Sequence, residues 1–227
     1  METIAFFIDN LDVVLSRTLE HISIVAVAVG LAILTGVPIG IAITLNKKAA
    51  DLVLYVAAII VTIPSIALFG LMIPVLSLIG QGVGYLPAVI AVLLYSQLPI
   101  IRNTYTAITN VDPALREAAR GLGMTPLQRL RRVEIPLAMP VVMAGVRIAV
   151  VMNIGITAIA AYIGAGGLGT FISRGISQTD PRQLLTGAFM VSVLAIASDL
   201  ALLWVQRRLT PASSSRGSAL PATPAQS

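Results

Sequence analysis

Residues Ile22 to Leu45, ISIVAVAVGLAILTGVPIGIAITL, form an uninterrupted apolar run that carries no charged side chain. A helix of about 20 mostly apolar residues crosses a bilayer core about 30 Å thick, so this run predicts a membrane-spanning helix. The composition supports the same class, because 57% of the 227 residues are hydrophobic and 11% are charged, whereas a soluble domain carries about 25% charged residues. Backbone groups inside a bilayer must be paired within the protein, so we expect an all-α polytopic membrane protein.

Further apolar runs bring the expected number of transmembrane helices to about five, and they cover residues 52–78, 86–108, 140–163 and 184–205. The run that contains Pro64, Gly70 and Pro74 should be kinked or broken. Residues 164–180 are Gly-rich, and they are too short and too polar to cross. They predict a re-entrant or surface stretch.

The distribution of basic residues predicts the orientation, since Lys and Arg accumulate in cytoplasmic loops. Ten basic residues flank the runs on one side and three on the other. The ten are Lys47, Lys48, Arg116, Arg120, Arg129, Arg131, Arg132, Arg207, Arg208 and Arg216, and the three are Arg17, Arg174 and Arg182. We therefore expect an extracytoplasmic segment 1–18, a membrane domain 19–208, and a cytoplasmic tail 209–227 that is rich in Pro, Ser and Ala and disordered. Residues 164–180 then lie on the outer side.

Several site classes are excluded by composition. The chain has no cysteine, which excludes disulfides and thiol catalysis. It has a single histidine, His21, so we expect no metal site, and we expect His21 to be an interfacial residue without a role. The net charge of +5 is typical of nucleic-acid binding. However, these charges lie between apolar runs, so we expect membrane lipid and not nucleic acid around the chain.

The loop between the third and fourth runs, residues 109–139, carries the clearest local signals. Asp112 followed by Pro113 is typical of a helix start, with Asp as the N-cap and Pro in the first turn. Residues 114–120, ALREAAR, are strong helix formers. Gly121 and Gly123 should end this helix.

A second helix start follows at Thr125-Pro126 and predicts a short helix over residues 127–133. Pro136 and Pro140 should close the loop and begin the fourth span. The first helix should group Leu115, Ala118, Ala119 and Leu122 on one face. Two interpretations remain: an ordinary solvated loop, or a docking element for another protein.

The same loop resembles a motif of permeases in ATP-binding-cassette importers: Glu-Ala-Ala, three residues, Gly, nine residues, Ile, any residue, Leu-Pro. This chain has Glu117-Ala118-Ala119, then Gly123, Val133 and Ile135-Pro136 at the same spacing. Val replaces Ile and Ile replaces Leu, and both are aliphatic exchanges.

This resemblance extends over about residues 19–208 and implies a type I importer permease with residues 109–139 as its coupling loop. It implies that a separate ATPase subunit, which binds ATP and Mg, receives the loop in a cleft. No cofactor is then expected in this chain. The implied contact residues are Asp112, Leu115, Glu117, Ala118, Ala119, Gly121, Gly123 and Pro136. The other implied partners are a second permease copy or a related permease, and a periplasmic or lipid-anchored solute-binding protein. The implied location is the bacterial inner membrane.

Other stretches are similar to one branch of this superfamily, the importers of glycine betaine, carnitine and choline. They are residues 62–65 (TIPS), 98–105 (LPIIRNTY), 111–115 (VDPAL) and 163–169 (IGAGGLG). The resemblance implies a small quaternary ammonium osmolyte as cargo. An amino acid, a sulfonate or a similar solute is the alternative cargo. An ATP-independent channel or secondary transporter, or a scaffold that does not transport, are the alternative classes.

Two charges lie inside predicted spans, Arg147 and Asp199, at a similar distance from the cytoplasmic ends. They predict an interhelical ion pair; the alternative is that Arg147 extends alone to the interface. Polar residues in the runs are candidates for the translocation path or for interhelical hydrogen bonds: Pro64, Ser65, Ser96, Gln97 and Asn153. We favour hydrogen bonding for Asn153 and the path for Ser96 and Gln97. Gly164, Gly166, Gly167 and Gly169 resemble the outer gate of the family; the alternative is a flexible loop.

Overall fold

Residues 2–209, which the computed structural model describes, are mostly helical, and no strand occurs in that range. The α-helices of this range are α1 (Glu2–Asp9), α2 (Leu11–Ala42), α3 (Lys47–Thr62), α4 (Ser65–Ser77), α5 (Tyr85–Thr109), α6 (Pro113–Gly121), α7 (Pro126–Arg129), α8 (Ile135–Ile159), α9 (Gly169–Ser177) and α10 (Pro181–Leu209). Short 3-10 turns follow α2 at Ile43–Leu45 and α8 at Ala160–Ile163, and a π-helical turn at Leu130–Glu134 joins α7 to α8. The predicted tail lies, apart from Leu209, outside the described residues.

Four helical stretches of the described chain are long and apolar enough to span a membrane, and the bent pair α3–α4 makes a fifth if it counts as one span. The predicted all-α fold with about five spans is therefore confirmed. The first span starts earlier than its apolar run, because α2 begins at Leu11. Residues 11–18 of the predicted N-terminal segment thus belong to the same helix as the span.

The second run is broken at Pro64, where α3 and α4 meet at a bend of 100°. A residue before proline is disfavoured in the α region, and Ile63 is extended there with φ −70° and ψ 127°. The hydroxyl of Tyr95 donates to the carbonyl of Ile63, which would otherwise lack a helical partner. Gly70 and Pro74 lie inside α4 and do not interrupt it.

Helix α5 is the centre of the bundle and packs mainly between α2 and α8. Glycines allow this close approach, as is common between membrane helices. A Cβ atom on Gly40 of α2 would lie 2.6 Å from Cβ of Thr104, and one on Gly145 of α8 would lie 2.6 Å from Cβ of Asn103. The helix axes are therefore held close by the absence of side chains at these positions.

The topology puts the loop that contains α6 and α7 at one end of the bundle and residues 164–168 at the other, because α8 runs from the first to the second. Helix α10 packs mainly on α8 and α9 and leaves a row of large apolar side chains exposed. These are Leu185, Phe189, Ile196, Leu200 and Trp204. Such a surface is suited to lipid or to another membrane subunit.

Candidate functional site

The loop after α5 begins with a capped helix, as the sequence predicts. The Asp112 side chain accepts a hydrogen bond from the Ala114 backbone N–H at 2.9 Å, and Pro113 follows the cap. Helix α6 ends at Gly121, and Gly123 then adopts a left-handed conformation with φ +73°. Only glycine takes this conformation at little cost, so Gly123 sets the turn that reverses the chain.

The second half of the loop starts with a capping box at Thr125. Its hydroxyl accepts from the Gln128 N–H, and the Gln128 side chain accepts from the Thr125 N–H at 2.9 Å. Helix α7, the π-helical turn and α8 then form one continuous helical stretch from Pro126 to Ile163. Pro136 lies in the first turn of α8, as expected, but neither Pro136 nor Pro140 separates the loop from the fourth span by a break. The wider π-helical turn, in which the Ile135 N–H bonds to the Leu130 carbonyl, gives the ring of Pro136 room that an α-helical turn lacks.

Most of the residues proposed for docking lie at the surface of this loop. Those exposed are Asp112, Leu115, Glu117, Ala118, Gly121, Gly123 and Pro136. Ala119 is the exception, since it is buried within the chain with 4% exposure, so its methyl group does not share the exposed face predicted for it. Leu122 and Leu127, which are 78% and 56% exposed, add apolar surface to the same loop. Large exposed apolar side chains close together in one loop are typical of a protein interaction surface.

Beneath this surface lies a charged cluster that sequence reasoning missed. The Glu134 carboxylate is almost fully buried, and its Oε1 lies 2.9 Å from Nε of Arg129 and 3.4 Å from Nε of Arg116. Arg116 also donates to the backbone carbonyl of Ile108 at the end of α5. The cluster thus joins α5, α6, α7 and the π-helical turn. The position of Glu134 among several Arg residues of the same loop could have predicted this ion-pair cluster.

The structure brings Arg147 and Asp199 together between α8 and α10. The Arg147 Nε and one terminal nitrogen lie 3.0 Å and 2.8 Å from Oδ1 of Asp199, and the same nitrogen lies 2.9 Å from Oδ2. The other terminal nitrogen of Arg147 donates to the side-chain oxygen of Gln206 at 2.9 Å. The side-chain NH₂ of Gln206 in turn donates to the Pro140 carbonyl at 2.8 Å. The guanidinium therefore bonds within the bundle.

We expect Asp199→Asn to lower the amount of folded protein severalfold and to lower its melting temperature in detergent. It leaves the Arg147 charge without its counter-charge, and a charge at the centre of a span costs about 2.5–3.5 kcal/mol on insertion scales. The double variant Arg147→Gln/Asp199→Asn removes both charges and should recover most of the loss. Unchanged melting and yield in Asp199→Asn would contradict a stabilising pair.

The polar residues of α5 and α8 are turned toward each other. The Asn153 amide donates to the Ser96 hydroxyl at 2.8 Å, and both residues have 0% exposure. The Gln97 amide donates to the Thr35 hydroxyl of α2 at 2.9 Å. Ser96 and Asn153 are therefore interhelical hydrogen-bonding groups in this structure, and Ser96 does not lie on a surface open to a path. Pro64 marks the α3–α4 break and is exposed.

The Gly-rich stretch between α8 and α9 is held in place by several contacts. Its backbone takes positive φ at Gly164, Gly166 and Gly167. The Gly167 N–H donates to the Glu20 carboxylate at 2.9 Å, and that carboxylate also binds Arg17 at 2.8 Å.

Two further contacts fix the ends of this stretch. The Ile163 carbonyl accepts from the Gly84 N–H at 2.8 Å. A Cβ on Gly169 would lie 1.9 Å from the Ala158 carbonyl oxygen, so the start of α9 is pressed against the end of α8. The Gly-rich stretch is therefore an ordered loop, because it contacts Glu20, Gly84 and Ala158.

Two other features lie at this end of the bundle. The expected interfacial His21 is fully buried, and its Nε2 donates to the Ile154 carbonyl of α8 at 3.0 Å. Asp180 caps α10 by accepting from the Arg182 N–H at 3.0 Å. The hydrogen bond from the Arg182 side chain is the largest influence on the Asp180 pKa and lowers it to about 2, so this cap stays charged at neutral pH.

Residues 32–212 match the family described as binding-protein-dependent transport system inner membrane component. The chain belongs to this family. It is therefore a multi-pass inner membrane permease of a binding-protein-dependent transport system. Membership in this family implies, in general terms, an ATPase subunit and a solute-binding protein as partners.

Curated relatives of the permease align over almost its whole length. It is 57% identical over 211 residues to the osmoprotectant import permease protein OsmW of Salmonella typhimurium strain LT2, which covers 93% of this chain and 98% of the relative. It is 44% identical to the choline transport system permease protein OpuBB of Bacillus subtilis strain 168, which covers 89% and 91%. It is 43% identical to the glycine betaine/carnitine/choline permease protein OpuCB of the same strain, which covers 87% and 88%.

Solved structures share the fold of the permease. A chain of the MetNI methionine transporter in an inward-facing conformation superposes with a TM-score of 0.80 at 24% identity, covering 87% of this chain and 96% of that one. A chain of an amino acid transporter gives a TM-score of 0.74 at 20% identity, covering 90% and 97%. These similarities define the architecture of the permease.

Proposed function

We propose that this permease forms the translocation path of an ATP-driven importer for a small quaternary ammonium osmolyte such as glycine betaine, choline or carnitine. The observation that carries the proposal is the similarity at 57%, 44% and 43% identity to relatives named for osmoprotectant, choline and glycine betaine/carnitine/choline transport. The transporters named for methionine and amino acids share the fold at 24% and 20% identity. The sequence similarity therefore favours the osmolyte over an amino acid.

We further propose that the end of the bundle with α6 and α7 faces the cytoplasm. This end carries most of the basic residues of the described chain, including Lys47, Lys48 and Arg120 and the last turn of α10 with Arg207 and Arg208. The positive-inside rule supports this orientation, with the first residues of the chain outside the cell.

The ATPase subunit would dock on the exposed surface of α6. Leu115, Ala118 and Leu122 supply apolar contact area there, and Glu117 supplies one charge for a basic group of the partner. The partner would bind ATP and Mg. Ala119 would support this surface from beneath, since it packs inside the chain.

Two permease subunits, either two copies or one copy and a related chain, would enclose the path, because one bundle of this size leaves its apolar helix faces exposed. A periplasmic or lipid-anchored binding protein would deliver the osmolyte at the end with the Gly-rich loop. Gly164, Gly166, Gly167 and Gly169 would form part of the outer gate there. The break at Pro64 and Ser65 and the Gln97 side chain remain candidates for the path.

The test is uptake of labelled glycine betaine and choline into vesicles that contain the permease, its ATPase subunit and its binding protein. We expect uptake that requires ATP hydrolysis and is not competed by methionine. Uptake that persists with a non-hydrolysable nucleotide would indicate a channel or secondary transporter. Binding without uptake would indicate a scaffold, and ATP-dependent uptake of methionine alone would overturn the proposed cargo.

A further inference from the structure

The buried cluster around Glu134 lies where the proposed docking helix meets the fourth span. The Glu134 side chain is 8% exposed and faces two guanidinium groups, Arg129 at 2.9 Å and Arg116 at 3.4 Å. Arg116 belongs to α6, whereas Glu134 belongs to the π-helical turn at the base of α8. The ion pair from Arg116 therefore crosses between the docking helix and the span.

Few other contacts tie α6 to the bundle. Its main packing partners are the π-helical turn and α7. A cavity of about 340 Å³, lined by Leu115, Thr106, Asn110 and Leu137 among others, opens between α6 and the ends of α5 and α8. Close apolar packing therefore does not fill this space. A displacement of α6 is transmitted through its chain connections at residues 110–112 and 122–125, through the Arg116 bond to the Ile108 carbonyl of α5, and through the charged cluster that reaches α8.

The second element of the cluster is continuous with the membrane domain. The helical stretch from Pro126 to Ile163 runs without interruption from the loop to the Gly-rich stretch at the other end of the bundle. At 1.5 Å per residue this stretch is about 57 Å long. A contact that holds α6 against the start of α8 therefore connects the docking surface to a continuous helix that spans the membrane.

A buried carboxylate has a strong preference for its ion-pair partners, because separation would leave an uncompensated charge away from water. Glu134 meets Arg129 within its own helical stretch and Arg116 across the gap. Separation of Arg116 from Glu134 would leave the buried carboxylate with Arg129 as its one ion-pair partner in the described chain, so the pair with Arg116 ties α6 to the base of α8.

We propose that Glu134 is a positioning residue that locks the docking helix α6 to the fourth span, so that movement of the ATPase subunit is transmitted to the membrane domain. This inference rests on the proposed function, since it requires α6 to be the docking helix. The role of Glu134 is to act through α6 and α8, and the residue itself contacts neither the cargo nor nucleotide.

The test uses vesicles with the full complex of permease, ATPase subunit and binding protein, and measures glycine betaine uptake and ATP hydrolysis in the same sample. Glu134→Gln preserves the size of the side chain and removes its charge. We expect ATP hydrolysis to persist while uptake per ATP hydrolysed falls about tenfold, within the range of about 5–150-fold that is usual for coupling between sites. Arg116→Gln should produce the same fall. Arg131→Gln, an exposed neighbour in the π-helical turn, is the matched control and should keep the wild-type ratio.

A parallel crosslinking experiment separates failure of this inference from failure of the proposed function. A cysteine at Ala118 reports whether the ATPase subunit docks on α6. A wild-type ratio in Glu134→Gln, together with a retained crosslink, would overturn the role of Glu134 and leave the docking surface in place. A missing crosslink in the otherwise unaltered permease would instead overturn the docking proposal.

If Glu134→Gln fails to fold, the assay uses Glu134→Asp in its place. This variant keeps the negative charge but has a shorter side chain. A fall in uptake per ATP in this assembled variant supports the inference, and an unchanged ratio overturns it.

Discussion

Glu117→Lys should abolish ATP-driven uptake while the permease still inserts and assembles in the membrane. Glu117 is exposed on α6, and its side chain makes no hydrogen bond or ion pair with the described residues. Loss of one partner of a charge pair in a desolvated interface costs about 2–5 kcal/mol. Reversal of the charge should cost no less, so uptake should fall by more than about thirtyfold. The measurement is uptake of labelled glycine betaine and ATP hydrolysis in reconstituted vesicles, with the inserted permease quantified.

The matched control for this prediction is Asp51→Lys. Asp51 is an exposed carboxylate near the start of α3, at the same end of the bundle, and lies outside the proposed docking surface. The same charge reversal there should leave uptake within about twofold of wild type, since isolated surface charges contribute little. Normal coupled uptake in Glu117→Lys would show that α6 is not the docking helix.

The sequence was sufficient for the features that depend on local signals. Apolar run length predicts the spans, since the bilayer thickness sets a minimum length for any crossing helix. The caps at Asp112 and Thr125 and the turn at Gly123 were predictable because side chains of these types satisfy backbone groups of their own neighbourhood. The break at Pro64 follows from the same local chemistry.

Features that depend on which helices face each other were harder to predict. Whether Ser96 lines a path or bonds to Asn153 is decided by the rotation of α5 against α8, and no local pattern encodes that rotation. His21 is buried for a similar reason, since α8 supplies its partner, the Ile154 carbonyl. Ala119 lies at the edge of a helical face where a small rotation decides between exposure and burial.

The loop and its base also differ from the prediction for a physical reason. Pro136 and Pro140 were expected to begin a new helix, because proline in a helix interior removes a hydrogen bond and clashes with the preceding turn. The π-helical turn at Leu130–Glu134 relieves the clash for Pro136 and lets the loop continue into α8. A change of helix type within a few residues leaves little trace in a pattern of apolar residues.

Gly169→Ala should have the second large effect, at the opposite end of the molecule. The added Cβ would lie 1.9 Å from the Ala158 carbonyl oxygen and 2.6 Å from its carbonyl carbon, and these are backbone atoms that cannot rotate away. The start of α9 must shift, which would pull Gly167 from the Glu20 carboxylate. Overpacking of this kind costs about 1–3 kcal/mol, occasionally more, so we expect a lower melting temperature in detergent and a fall in uptake of at least about fivefold.

Gly155→Ala on α8, the helix whose end Gly169 packs against, is the control for Gly169→Ala, because a Cβ at Gly155 meets no atom within 4 Å. That variant should melt at or above the wild-type temperature, since alanine in a helix interior is favoured over glycine by about 0.5–1 kcal/mol. If the loop serves only as a connection, Gly169→Ala should lose stability in proportion to the clash but keep its uptake per folded molecule. If the loop is a gate, the variant should also transport less per folded molecule. The loop bonds to α2 through Glu20 and to the start of α5 through Gly84, so displacing Gly169 disturbs α2, α5 and α9 together. Uptake per folded molecule should therefore fall in Gly169→Ala and stay constant in Gly155→Ala, and equal uptake in the two variants would contradict a gate at this loop.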